Sequence, residues 1–287
     1  MKPPLFDYRL PSSIDEAIAF LEEDEGAMVL AGGQSLVPAM NMRLANPTRL
    51  VDIQRIPGLA SIVVENGLIK VGAMTRHRDL ELDDRVYKAN PIIREALGHV
   101  AHVPIRNRGT IVGSLCHADA SAEMPMLLVL TDGSVVAKGK SGVRTIAAKD
   151  FFEFHMTTTR RPGEIIVEAQ FPVLPPGAGY SFEEFARRSG DFAIAAVGAI
   201  VKLGKDRTVE AVALAASGIS SRPLRLEKAE AVLAGSKLSK SVLEEAGKNA
   251  GAAVTAADDM HATTAYRRHL VGVLLRKTVE TAVSRAS

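Results

Sequence analysis

The sequence predicts an α+β protein: two α+β subdomains, then a C-terminal domain with a three-stranded antiparallel sheet and helices. Three observations carry that expectation. Strand-like and helical runs alternate as far as Phe171, as in mixed α+β layers. The run Pro175-Pro176-Gly177-Ala178-Gly179 then reads as a linker, because proline and glycine punctuate regular structure. Beyond it, three strand-like runs come first and two or three helices follow, the order of a separate layered domain. The expected division is residues 1–175, with subdomains of about 1–56 and 57–175, followed by 178–287.

The elements follow in order. Ser13 and Glu16 have capping-box spacing. Ile14, Ala17, Ile18 and Leu21 keep a helical period, so a helix should run to about Glu23, with Gly26 beyond its end. Ala27 to Leu30 is a short strand. Pro38 suits the first turn of a short helix reaching Arg43, and Asn46-Pro47 breaks it. Leu50 to Ile53 is a second strand. Ile62 to Glu65 and Leu68 to Val71 flank Asn66-Gly67, a strong short-range hairpin signal. A helix from about Pro91 to Ala101 and another from Glu123 to Leu130 follow. Ser134 to Ala137 and Val143 to Ile146 form a second hairpin, and Glu164 to Phe171 a strand closed by Pro172. After the linker come strands at Tyr180 to Ala186, Ala193 to Leu203 and Val209 to Ala215. Helices are expected at about Leu224 to Leu233, Ser239 to Ala252 and Thr264 to Ser284.

Composition excludes several classes of function. With 287 residues, 47% hydrophobic and 24% charged, the chain can bury a substantial core. A formal net charge of +2 gives no electrostatic case for nucleic acid or a membrane surface. No 18-residue apolar stretch occurs, and Met1-Lys2-Pro3-Pro4 has no signal-peptide pattern, so the cytoplasm is the expected compartment. The single cysteine, Cys116, rules out an internal disulfide and a cysteine-held iron–sulfur cluster within the chain. Its default role is that of a small buried residue.

Two glycine-bearing stretches are the chemical signal. One is Val29-Leu30-Ala31-Gly32-Gly33-Gln34-Ser35-Leu36. The other is Arg106-Asn107-Arg108-Gly109-Thr110-Ile111-Val112-Gly113-Ser114. Glycine lets backbone approach a ligand closely, and such loops offer N–H groups to phosphate oxygens. Two of them suggest two turns facing one diphosphate. Neither has the spacing of a Rossmann fingerprint or a P-loop. Taken singly, each loop also reads as a plain tight turn, with Ser35 as a helix cap.

Other candidates read more plainly. His99 and His102 share a helix face, but further metal ligands are not evident. His77 reads as a surface residue. Arg187 and Arg188 read as solvated charges, one of which can pair with Asp191. Asp119 and Glu123 read as a turn residue and a hydrogen-bond acceptor.

With their surroundings, the two loops resemble the FAD-binding medium subunit of the carbon monoxide dehydrogenase and xanthine dehydrogenase family of molybdenum hydroxylases. The residues that carry the resemblance run the length of the chain in order. They include Ala31-Gly32-Gly33-Gln34-Ser35-Leu36 with Pro38, Leu50-Val51-Asp52-Ile53, and Gly72-Ala73-Met74-Thr75. Later come Ile105-Arg106-Asn107-Arg108-Gly109-Thr110-Ile111, Gly113-Ser114-Leu115 with His117-Ala118-Asp119, Pro162-Gly163-Glu164, and Gly190-Asp191-Phe192-Ala193.

The resemblance implies a PCMH-like two-subdomain region that binds FAD. It implies two partners, a molybdopterin-containing large subunit and a 2Fe-2S small subunit. The flavoprotein would pass electrons from the partner's clusters to an external acceptor and be inactive alone. It further implies FAD contacts at Leu30, Ala31, Gly32, Gly33, Gln34, Ser35 and Leu36, at Ala101, at Thr110, Ile111, Val112, Gly113 and Ser114, and at Glu123, Ile166 and Phe192. Catalytic and metal-binding residues are expected to be none. Glu123 replaces the family's aspartate, which bonds the flavin's polyol chain. Val112 replaces a family glycine; if that position needs positive φ, valine costs about 1 to 3 kcal/mol, and Val112→Gly should tighten FAD binding. The alternatives are a self-contained FAD oxidoreductase and a flavin-free structural or assembly protein of the same fold.

Overall fold

The computed structural model describes all 287 residues. The first unit is a three-stranded parallel sheet. Strand β1 (Asp7–Arg9) leads to helix α1 (Ile14–Glu22), strand β2 (Ala27–Leu30), helix α2 (Leu36–Asn41) and strand β3 (Arg49–Asp52). The strand order is β1-β3-β2. Ser13 caps α1 by accepting from the Glu16 N–H. Glu16 does not complete the reciprocal box, because its carboxylate accepts from the Ser12 N–H at 2.7 Å.

The second unit holds the larger mixed layer. It contains β4 (Ile62–Glu65), β5 (Leu68–Gly72), α3 (His77–Leu82), α4 (Asp84–Ala89), α5 (Ile92–Leu97), α6 (Val103–Arg106), α7 (Ile111–His117) and α8 (Glu123–Leu130). It continues with β6 (Ser134–Gly139), β7 (Gly142–Ala147), α9 (Ala148–Phe151), β8 (Phe152–Phe154), β9 (Thr157–Thr158) and β10 (Ile165–Pro172). The five-stranded sheet runs β4-β5-β10-β6-β7. Asn66 and Gly67 both have positive φ, 51° and 76°, as the tight hairpin turn between β4 and β5 requires.

Helix α8 is buried along its whole length, so it carries no amphipathic stripe. It packs against α5 and α7 and against the C-terminal unit, and its residues join a core that includes Phe151, Phe171, Phe182 and Ala196.

The last unit contains β11 (Gly179–Phe185), β12 (Ala195–Leu203), β13 (Val209–Ser217), β14 (Leu224–Arg225), α10 (Glu227–Leu233), α11 (Lys240–Ala252) and α12 (Thr264–Arg285). The expected three antiparallel strands are present, and the two-residue β14 adds a fourth at the edge of β13. The residues read as the start of a helix at Leu224 form that edge instead. One sheet face, with Phe182, Ala196 and Ala215, joins the core around α8. The opposite face, with Val197, Leu214 and Ala216, packs against α10 to α12.

Candidate functional site

Strand β2 delivers the chain into the first glycine loop at its C-terminal end. Gly33 has φ of +70°, a conformation that side-chain-bearing residues avoid. Gly32 is there for a different reason. A Cβ on it would lie 2.4 Å from the Arg108 carbonyl oxygen and 2.7 Å from the Gly109 Cα. The first loop is therefore pressed, backbone to backbone, against the second. No protein acceptor takes the main-chain N–H of Gly32, Gly33, Gln34, Ser35 or Leu36. Five consecutive free donors in a half-buried loop are an anion-binding arrangement. Ser35 stands at the cap position of α2, yet its hydroxyl makes no capping bond. The Gln34 amide Nε2 donates back to the Gly32 carbonyl at 3.1 Å, which ties down an oxygen that would otherwise repel an anion.

The second loop is fixed by a short bridge. The His77 N–H donates to the Gly109 carbonyl at 3.0 Å, and the Ile111 N–H donates to the Thr75 carbonyl at 3.1 Å. Thr110 caps α7, its hydroxyl accepting from the Gly113 N–H at 3.0 Å. A Cβ on Gly113 would fall 2.5 Å from that hydroxyl oxygen, so the cap itself demands glycine. Half of the expected loop is thus helix: Ile111, Val112, Gly113 and Ser114 form the first turn of α7. Neither Thr110 nor Val112 gives its N–H to a protein acceptor.

Two sequence expectations change here. Val112 is helical, absent from the positive-φ residues, and buried at 3% exposure in the main core. It carries no backbone strain, and its methyls point into the core rather than at a ligand. His77 is not a surface residue. It is 5% exposed, neither ring nitrogen has a partner, and burial pushes its pKa down to about 4.

Ala101 lies at the other end of α6 with φ of +43°. Buried Arg106 holds it there, donating from Nη1 to the Val100 and Ala101 carbonyls at 2.9 and 3.0 Å, and from Nε to Glu81 at 3.0 Å. The loop between β11 and β12 packs on this turn. A Cβ on Gly190 would lie 2.7 Å from His102 Cε1 and 3.1 Å from the Ala101 carbonyl carbon. Two residues on, Phe192 is 55% exposed beside a cavity of about 450 Å³ that Ser121 and Arg267 also line. Asp191 forms no ion pair with Arg187 or Arg188; its N–H donates to the Arg188 carbonyl at 3.1 Å. A line of close contacts therefore joins the first loop to the second. A further one joins the Ala101 turn to the loop bearing Phe192.

The carboxyl groups sort clearly. Asp119 Oδ1 accepts from the Ser121 N–H at 2.8 Å, a turn contact. Glu123, the first residue of α8, is 4% exposed, and burial pushes its carboxyl up to about 7, with Asp119 adding to the rise. Glu184 on β11 was missed in the sequence. Burial, reinforced by the charge of Glu123, pushes it up to about 8. The signal was available: alternation in β11 places Tyr180, Phe182 and Glu184 on one face, and the first two are aromatic residues suited to a core.

Other candidates recede into the interior. Ile111 and Ile166, at 0% and 3% exposure, are core side chains, so neither offers side-chain surface to a ligand. Burial raises the Cys116 thiol to about 11, which leaves it an unreactive thiol.

The site passes a simple test for a diphosphate-bearing cofactor. The uncommitted amides of residues 32–36 and the close approach at Gly32 are what such a group needs and what a plain turn would not retain. Comparisons with known proteins agree. A family described as the FAD binding domain in molybdopterin dehydrogenase matches residues 4–174. The CO dehydrogenase flavoprotein C-terminal domain matches residues 180–282. The chain is 39% identical over 287 residues to the 6-hydroxypseudooxynicotine dehydrogenase complex subunit alpha of Paenarthrobacter nicotinovorans, covering 100% of this chain and 97% of that one. It is 37% identical to the carbon monoxide dehydrogenase medium chain of Afipia carboxidovorans, covering 100% and 99%. It superposes on a chain of the carbon monoxide dehydrogenase of Hydrogenophaga pseudoflava with a TM-score of 0.97, at 33% identity and full coverage of both.

Proposed function

Because this chain belongs to the FAD-binding flavoprotein family of the molybdopterin dehydrogenases, we propose that its two glycine loops clasp the diphosphate of FAD. The protein is an FAD-binding electron-transfer subunit of a multi-subunit molybdenum hydroxylase. Its partners are a molybdopterin-containing large subunit and a 2Fe-2S small subunit. The chemistry that FAD supplies when bound is electron exchange between the partner's clusters and an external acceptor.

The residues of this chain bind and orient. The free amides of Gly32 to Leu36, with those of Thr110 and Val112, donate to phosphate oxygens. The Ser35 hydroxyl, not spent on capping, adds one more donor, and Ser114 flanks the same turn. Leu30 and Ala31 shape the entry to the loop. Glu123 accepts from the polyol chain of the cofactor, the Ala101 turn forms the floor, and Phe192 supplies an aromatic wall at the mouth. Ile111 and Ile166 support this surface from the core behind it. The cofactor-binding region is residues 1–175, in two subdomains meeting near 56, and residues 178–287 close over it from the other side. No helix is long and apolar enough to cross a membrane, in keeping with work in the cytoplasm.

The observation that carries this reading is the contact of Gly32 with the Arg108–Thr110 backbone beside five unpaired amides. Adding FAD to the folded, cofactor-stripped protein should give a stoichiometric complex with a visible flavin absorbance band. Absence of binding by calorimetry would leave the flavin-free structural reading standing.

A further inference from the structure

Buried Glu123 and Ser217 and half-buried Glu184 lie at the junction between the two matched regions, and the loops described above do not use Glu184 or Ser217. Glu184 on β11, Ala196 on β12 and Ser217 on β13 lie in one row of the sheet, since Glu184 pairs with Ala196 and Ala196 with Ser217. Residues paired in this way share a face. That face is the one that packs on α8, because Ala196 and Ala215 join the α8 core and a Cβ on Gly198 would lie 2.6 Å from Leu130 Cδ2. The next residue, Gly218, donates its N–H to the Ala120 carbonyl at 2.9 Å, which brings the Ser217 end of the row to the turn just before Glu123.

Two of these oxygens have no partner within the protein. Glu184 Oε2 and Ser217 Oγ are buried and have no hydrogen-bond partner, and Ser217 is 0% exposed. Buried oxygens without partners are rare, and each carries an uncompensated cost of leaving water. A hydroxyl-bearing ligand between Glu123, Glu184 and Ser217 would remove that cost.

We propose that Glu184 and Ser217 are a second hydrogen-bonding arm of the FAD site, contributed by the C-terminal domain, and that Glu123 and Glu184 hold one proton between them when the cofactor is seated. The proposal rests on the reading of the two loops as an FAD site. Two carboxylates enclosed with a ligand cannot both stay charged, so the pair keeps one proton, drawn from solvent. The protonated carboxyl donates a hydrogen bond, while its partner remains an acceptor for the polyol. The upward shifts of both groups agree with this. The charges facing the pair are Asp119 before α8, which strengthens the rise, and Arg106 on α6, which opposes it.

The test is FAD titrated into the cofactor-stripped full chain between pH 6.5 and 9.5, by flavin fluorescence and by calorimetry in phosphate and Tris. Wild-type affinity should hold to about pH 8 and fall about tenfold per pH unit above it, with proton uptake on binding at pH 8.5. Glu184→Gln, neutral and of the same shape, should bind FAD with no such fall and no proton uptake. Ser217→Ala should weaken binding about 3- to 10-fold at every pH and keep the wild-type slope. Bound FAD with the same slope and proton uptake in wild type and Glu184→Gln would overturn this proposal alone. Folded wild-type protein that binds no FAD would instead defeat the cofactor assignment beneath it.

Discussion

Gly32 and Gly109 meet so closely that a methyl group on Gly32 would stand 2.7 Å from the Gly109 Cα. The two loops are therefore one structure, although 76 residues separate them in sequence. Gly32→Ala should push them apart and weaken FAD binding by at least about 1.4 kcal/mol, tenfold. The loop is only half-buried, so the melting temperature should change little. A variant with wild-type affinity would mean that the contact between the loops does not shape the site.

Ser35 provides the complementary case. Its hydroxyl does not cap α2, so removing it takes nothing from the ligand-free fold. Ser35→Ala should leave thermal stability unchanged and cost about 0.5 to 3 kcal/mol of FAD affinity, the range for one hydrogen bond to a neutral or charged partner. Lost stability with unchanged affinity would return Ser35 to a helix-terminating role.

Val112 reverses the expectation drawn from sequence. Its side chain lies in the core and its backbone is helical. Val112→Gly should destabilise the fold by about 2 to 4 kcal/mol, through lost burial and a glycine in a helix. FAD affinity in the folded fraction should stay the same. Tighter binding in the variant would restore the crowding argument.

The sequence disclosed most elements that have a strong local cause. The Asn66-Gly67 hairpin and the Ser13 cap both announce themselves within a few residues. What it hid depends on long-range packing. β1 is three exposed residues made into a strand by pairing with β3. The β14 edge has only two residues. His77 looks polar and local, yet Gly109, 32 positions away, takes its N–H and covers its ring. The glycine loops were legible as chemistry, but the helical start of α7 was not. Val112 therefore read as an intruder in a loop when it is a core residue. Glu184 gives no local sign of its place, because a lone acid in a strand usually faces water, and only the packing of helices on that face of the sheet half-buries it.

His77 makes stability depend on pH. Its pKa is about 4 in the fold against about 6.5 in an unfolded chain. Acidification therefore protonates the unfolded chain first. The stabilisation is whole above about pH 6.5 and is lost as pH falls towards 4, a total of roughly 3 kcal/mol. Glu123 and Glu184, shifted upward, act in the opposite sense over higher pH. Urea titrations of wild type and His77→Leu should isolate the histidine: the variant should lose less stability between pH 6.5 and 4. Equal losses would mean that His77 is already charged in the fold or is solvated.

The last prediction concerns activity. The chain has one cysteine, and its thiol is buried and raised to about 11, so electrons must enter from clusters held elsewhere. The two acids whose pKa is raised, Glu123 and Glu184, lie at the junction between the sheet of the C-terminal unit and α8, and neither lines the cavity beside Phe192. The cavity beside Phe192 offers arginine, aspartate and histidine at its rim; there, against the opposing effect of burial, the Ala262 and His261 N–H groups and Arg267 hold Asp259 below the usual carboxylate range, away from the value a general base needs. The isolated chain loaded with FAD should therefore oxidise no aldehyde, purine or carbon monoxide. Turnover should appear when the iron–sulfur and molybdenum subunits are added. Steady-state assays of the single chain and of the reassembled complex make the comparison. Enzymatic oxidation of a small organic substrate by the single chain would overturn the relay and favour a self-contained FAD oxidoreductase.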